Sequence, residues 1–118
     1  RDIYNHFQTR LGNLKQERFI IVILDNKHRF LSETTVTVGL LNRSLVHPRE
    51  VFAEAIEQRA AAIICIHNHP SGDSSPSEED KRITRRLQDS GELLGIPLLD
   101  HIIISKEDFT SFADEGWL

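Results

Sequence analysis

The sequence predicts an α/β fold, a sheet with helices packed on it, and three observations carry that prediction. Phe19-Ile20-Ile21-Val22-Ile23-Leu24 is a continuous β-rich run, followed closely by a second extended stretch rich in threonine and valine. Residues 61–66 are apolar at every position, as expected of a central strand covered on both faces. Around these runs apolar residues recur at spacings of three and four, the period of a helix with one buried side.

Taken in order, residues 2–14 carry Ile3, Phe7, Leu11 and Leu14 on one helical stripe. The run from Phe19 to Leu24 is the first strand, and Asp25-Asn26-Lys27-His28 supplies a turn. A second strand follows from Arg29 to about Leu41, so the two form an antiparallel hairpin. Pro48 suits the first turn of a helix, where its missing N–H costs nothing, with His47 as the residue of entry. Val51, Phe52, Ala55 and Ile56 are that helix's apolar stripe. After the buried strand at 61–66, Ser75-Pro76-Ser77-Glu78 predicts a helix start with Ser75 as N-cap and Glu78 closing a capping box. Ile83, Leu87 and Leu94 continue its inner stripe, with Gly91 a stop or a distortion. Gly95-Ile96-Pro97 precedes another strand, Leu98 to Ile104, and the tail is expected to add a short capped helix or a loop carrying Phe109 and Phe112.

At 118 residues the chain has the length of one domain able to bury a core. Its 39% apolar and 27% charged residues are those of a globular protein. No apolar run approaches the roughly 20 residues that span a bilayer, and nothing at the start resembles a signal peptide, so no membrane partner is expected and an intracellular location is. The absence of methionine and the opening on Arg1 suggest a piece of a longer protein. The single cysteine, Cys65, excludes a multi-cysteine zinc site and reads as a small buried hydrophobe. A net charge of −4 argues against strong nonspecific DNA binding. The local cluster Lys81, Arg82, Arg85 and Arg86 shares its helix with Glu78, Glu79 and Asp89 and is expected to be a solvated face.

The chemistry is concentrated in His67-Asn68-His69-Pro70-Ser71-Gly72-Asp73-Ser74-Ser75-Pro76-Ser77-Glu78-Glu79-Asp80. Along extended chain His67 and His69 point the same way. Asp80 shares a helix face with Ile83, Thr84 and Leu87, and a carboxylate on a buried face must be paired or bound to metal. Two imidazoles and a carboxylate form a three-ligand set with a position left open, as a catalytic zinc requires. The alternative is that both histidines satisfy loop carbonyls and Asp80 favours the helix dipole.

His67-x-His69-Pro70, then Ser77 and Asp80, resembles the full signature of the JAMM (MPN-type) metalloprotease superfamily, and the fuller text is similar to its RadC branch. Flanking segments agree: Leu45-Val46-His47-Pro48-Arg49-Glu50 and Leu99-Asp100-His101-Ile102-Ile103. The resemblance, from about Glu17 to the C-terminus, implies a three-layer α/β/α sandwich of cytidine-deaminase-like type with a mixed sheet, forming a single domain over 1–118. It further implies Zn2+ on His67, His69 and Asp80, a cytoplasmic location and a zinc-dependent hydrolase, metallopeptidase or isopeptidase, acting on a peptide or protein. The superfamily uses an upstream glutamate at the start of a strand as general base, and Glu17 matches that placement, with Glu33, Glu50 and Glu54 as rivals. Ser77 is either a donor to the developing oxyanion or a serine bonded locally near the helix start. Asp73, Asp100 and His101 are expected at most to support the site, His101 as a satisfied core histidine. The competing function is a non-catalytic metal-binding or scaffold module associated with DNA repair or DNA metabolism. A deaminase is excluded, since it requires His-x-Glu followed by Pro-Cys-x-x-Cys.

Overall fold

The computed structural model describes residues 2–12, 14–38 and 46–118. The described elements run α1 (Asp2–Leu11), β1 (Arg18–Leu24), β2 (Phe30–Val38), α2 (Pro48–Glu57), β3 (Ala62–Asn68), α3 (Glu78–Leu94), β4 (Leu98–Ile104) and β5 (Phe109–Ser111). They build one mixed five-stranded sheet in the order β2-β1-β3-β4-β5. β1 is antiparallel to both β2 and β3, β3 is parallel to β4, and β5 returns antiparallel along β4.

Because side chains alternate along a strand, each central strand feeds two cores. Ile20, Val22, Leu24, Ile64 and Ile66 face one way and are covered by Phe7 and Leu11 of α1. Phe19, Ile21, Ile23, Ile63 and Cys65 face the other and meet Val51, Phe52 and Ala55 of α2 with Ile83 and Leu87 of α3. The result is the expected helix–sheet–helix sandwich. β3, at its centre, is buried at all seven positions, which explains its unbroken apolar text up to the first histidine. Burial also pushes the Cys65 thiol pKa far up, so the residue behaves as a hydrophobe.

Several local expectations change. Pro48 opens α2 as anticipated, and His47 caps it by accepting the Arg49 amide on Nδ1 at 3.0 Å. α3 is capped by Ser77 rather than Ser75, and its capping-box partner is Asp80 rather than Glu78. Both serines have an acid three residues on, so the local rule fits either, and the contacts of Asp80 favour the later start. The helix runs through Gly91 and ends at Gly95, whose φ of 74° is the left-handed conformation that favours glycine. Gly91 is required for space: a Cβ there would meet the Ile96 carbonyl oxygen at 2.5 Å. Ile56 and Leu94 continue their stripes in sequence but lie exposed near the helix ends. Residues 109–111 form a strand where a helix or loop was expected, because β4 offers them an open edge. The end of the second strand, 39–41, falls outside the described residues.

Candidate metal centre

The centre lies where β3 runs out. Phe19 pairs with His67, which places the residue before β1, Glu17, beside the end of β3 that bears the histidines. His69, just past the strand, stays fixed because its amide donates to the Ile104 carbonyl of β4 at 2.8 Å. The chain then turns through Gly72, at φ 91°, and the Asp73 carboxylate accepts the Ser75 amide at 2.9 Å. This brings the first turn of α3 back over the end of β3.

Four side chains converge there. His67 Nε2 is 3.4 Å from a Glu17 carboxylate oxygen, and His67 Nδ1 is 3.6 Å from Asp80 Oδ1. His69 Nε2 is 3.0 Å from Asp80 Oδ2. Glu17, His67 and His69 each offer one ligand atom within 4.8 Å of the others. Asp80 is buried at 2% exposure, and its Oδ2 also accepts the Ser77 amide at 2.8 Å. Ser77 itself is exposed, and its Oγ accepts the Asp80 amide at 3.0 Å.

His69 Nδ1–H donates to the Asp73 carbonyl at 2.9 Å, because a carbonyl can only accept. A neutral His69 therefore aims a bare Nε2 lone pair at a carboxylate 3.0 Å away. His67 carries carboxylates on both ring nitrogens, and its buried Nδ1 has no hydrogen-bond partner. Two carboxylates and two imidazoles in such proximity need added positive charge, from protons or from a cation. Burial works against ionised Asp80, yet the bond with His69, nearby His67 and the Ser77 amide hold its pKa down at about 2. His69 is raised despite burial by Asp80 and the Asp73 carbonyl. Imidazole and carboxylate are a donor set that suits zinc.

Thr84, His101 and Asn68 hold this cluster from outside. Thr84 Oγ1 donates to the Asp80 carbonyl at 2.7 Å, so His101 Nδ1–H must donate to Thr84 at 2.5 Å. Burial, reinforced by His67, pushes the His101 pKa down to about 3, so the ring is neutral. Asn68 lies between the two histidines and is 1% exposed. Its Oδ1 accepts the Arg18 amide at 2.7 Å and its Nδ2 donates to the Gln16 carbonyl at 3.0 Å. One side chain thus grips the backbone on both sides of Glu17.

A family model described as the RadC-like JAB domain matches residues 1–117. The chain belongs to the RadC-like JAB domain family. This RadC-like chain is 52% identical over 116 residues to a UPF0758 protein of Syntrophotalea carbinolica, across 98% of the chain and 51% of that protein. It is 50% identical over 117 residues to one from Bacillus licheniformis, across 99% and 52%. With one from Methanospirillum hungatei the identity is 54% over 110 residues, across 93% and 49%. The RadC-like chain spans about half the length of these curated relatives.

Of the residues named from sequence, the RadC-like domain gathers Glu17, His67, His69 and Asp80 in one place and sets Ser77 at its rim. Glu33 is elsewhere, bound to Arg10 at 2.6 Å, and Glu54 accepts from Gln58 at 3.0 Å. Glu50 lies on the exposed side of α2, 3.8 Å from Arg49. Asp73 contributes its carbonyl rather than its carboxylate. Asp100 braces the C-terminal segment, accepting from Ser111 Oγ at 2.6 Å and from the Ala113 amide at 2.9 Å. His101 is partnered at Nδ1, but its buried Nε2 has no partner, so it is only half the satisfied core histidine expected. Asn68 and Thr84 were not singled out from sequence. The available signal for Asn68 was a polar amide inside a strand buried at every position, a group that must find partners.

Proposed function

We propose that the chain is a zinc-dependent hydrolase of amide bonds, a metallopeptidase or isopeptidase with a peptide or protein substrate. One observation carries this reading: a glutamate before β1, two histidines at the end of β3 and an aspartate on α3 converge although they are far apart in sequence. His67, His69 and Asp80 would hold the ion. Zinc at such a site supplies a Lewis acid and lowers the pKa of a water from about 15.7 towards 7.

The chain's own groups do the rest. Glu17, within 4.8 Å of a donor atom on each histidine, accepts the proton of the attacking water and delivers it to the leaving amine. One water adds, the C–N bond breaks, and an acid and an amine leave. The Asp73 carbonyl keeps His69 Nε2 turned inward. Ser77 accepts from the Asp80 amide, so its hydroxyl proton is free to be donated to oxygen as charge builds on the scissile carbonyl. Among the described residues no helix is long and apolar enough to cross a membrane, and we assign the activity to the cytoplasm, in line with the family resemblance.

Metal analysis after dialysis against zinc tests the site. About one zinc per wild-type chain is expected and little for Asp80→Ala, with circular dichroism confirming that α3 survives loss of its capping acid; under about 0.2 zinc per wild-type chain would sink the site. In a peptide-library digest Glu17→Gln should retain zinc and lose cleavage by about a hundredfold or more. Equal cleavage by both proteins would remove Glu17 as the base. Full metal with no cleavage of any peptide would leave a metal-binding scaffold module instead.

A further inference from the structure

We propose that a small pocket on the flank of α3 binds a carboxylate of the substrate, giving the hydrolase a preference for acidic peptides; this rests on the amide-hydrolase reading above. The pocket has a volume of about 180 Å³ and is lined by Lys81, Thr84, Arg85, Gln88, Phe112 and Trp117. The four α3 residues follow the i, i+3, i+4, i+7 spacing of a single helix face. That face begins one residue after Asp80, and Thr84 is bonded to the Asp80 carbonyl, so the pocket adjoins the metal centre. Its wall is aromatic: Phe112 stacks on His101 at 4.8 Å, and Trp117 meets Phe112 edge-on at 5.3 Å.

Charge identifies the occupant. In a chain of net charge −4, two cations line this pocket and no acidic residue does. Arg85 makes no ion pair with a described residue. Lys81 is 3.9 Å from Glu78, an exposed contact of little worth, and its ammonium lies 5.3 Å from the Trp117 ring centroid. A guanidinium grips a carboxylate with two parallel N–H bonds, and an ammonium adds a point charge beside it. The volume is below the roughly 300 Å³ at which pockets for larger ligands begin, and it suits one acidic side chain or chain end. A nucleobase fits less well, since Lys81 already sits over the Trp117 ring and Phe112 lies against it. Asp80 and Arg85 are five positions apart, about 7.5 Å along the helix axis.

Trp117 is the chain's single tryptophan and reports binding without turnover. The chain is titrated with acetyl-Gly-Glu-Gly-amide, with its Gln analogue, with acetyl-Gly-Gly-Gly bearing a free carboxylate, and with a short oligothymidylate. Calorimetry serves as the second readout wherever the emission does not move. The Glu peptide should bind about tenfold more tightly than the Gln peptide, the effect of a charge-assisted contact. Arg85→Gln should erase that difference, and Arg85→Glu should shift preference to a Lys peptide. The ratio of the Glu peptide to the free-carboxylate peptide tells a side chain from a chain terminus as the source. Equal binding of Glu and Gln peptides, binding of neither, or tighter binding of oligothymidylate would each overturn the proposal. Such a failure leaves zinc content and Glu17-dependent cleavage intact, whereas carboxylate binding without any cleavage removes the hydrolase and keeps the pocket.

Discussion

Asn68 does for Glu17 what the Asp73 carbonyl does for His69: it fixes a group that faces the cluster. Its amide spans from the Gln16 carbonyl to the Arg18 N–H, so the Glu17 backbone cannot drift from His67 without breaking two hydrogen bonds. Asn68→Ala should keep the zinc content of the wild type and lower kcat by about tenfold or more, since misplacement of a base by 1 Å is costly. Zinc stoichiometry measured beside kcat and KM checks this; a loss of zinc in step with activity would make Asn68 a structural residue only. His67, His69 and Asp80 were legible in the sequence because they lie within fourteen residues of text whose spacing has chemical meaning. Asn68 was not, because its partners are 50 and 52 positions upstream and strand parity turns it away from the histidines.

At the scale of the element, α3 combines two tasks in its first turn. Ser77 and Asp80 cap the helix, and the same Asp80 carboxylate faces the histidines. Ser77→Ala should cost about 1 kcal/mol of unfolding free energy and Ser77→Gly only a few tenths. If the hydroxyl also serves the oxyanion, both variants lose kcat alike despite different stabilities; denaturant titration with kinetics separates the roles. At the other end, Gly91→Ala should destabilise by about 1–3 kcal/mol although alanine is the better helix former, because its methyl meets the Ile96 carbonyl. A shift of the denaturation midpoint to higher denaturant would refute that. The helix and most strands were readable from period and composition. The cap position was not, because Ser75–Glu78 and Ser77–Asp80 satisfy the same local rule. Neither was β5, a three-residue strand defined by the edge it pairs with rather than by its own residues.

For the whole molecule, the core between the sheet and α3 meets the site through His101, which is buried, neutral, bonded to Thr84, 5.6 Å from the Phe19 ring and stacked on Phe112. Its folded pKa of about 3 lies below the roughly 6.5 of an unfolded histidine. Between those values the unfolded chain binds a proton that the folded chain refuses, so the His101 contribution is complete above about pH 6.5 and is lost as pH falls towards 3. With chelator present, wild type should lose stability between pH 7 and 4 faster than His101→Gln. The opposite trend from His69, raised in the folded state, is present in both proteins. Parallel pH curves from denaturant melts would contradict the assignment. The sandwich and mixed sheet followed from the resemblance, whereas the ring stacking of His101 and Phe112 depends on how β4 and the C-terminal segment close together, which no local pattern encodes.

The Asn68 bridge also bears on when the centre comes into being. Glu17 leaves the ribosome some fifty residues ahead of the first histidine, and Asp80 follows later still. Until β3 has paired with β1, the Asn68 bridge to the backbone around Glu17 cannot form, and until α3 is capped Asp80 has no fixed position. A nascent or cleaved chain therefore carries no half-formed cluster, and the four side chains meet only when β1, β3 and α3 have come together.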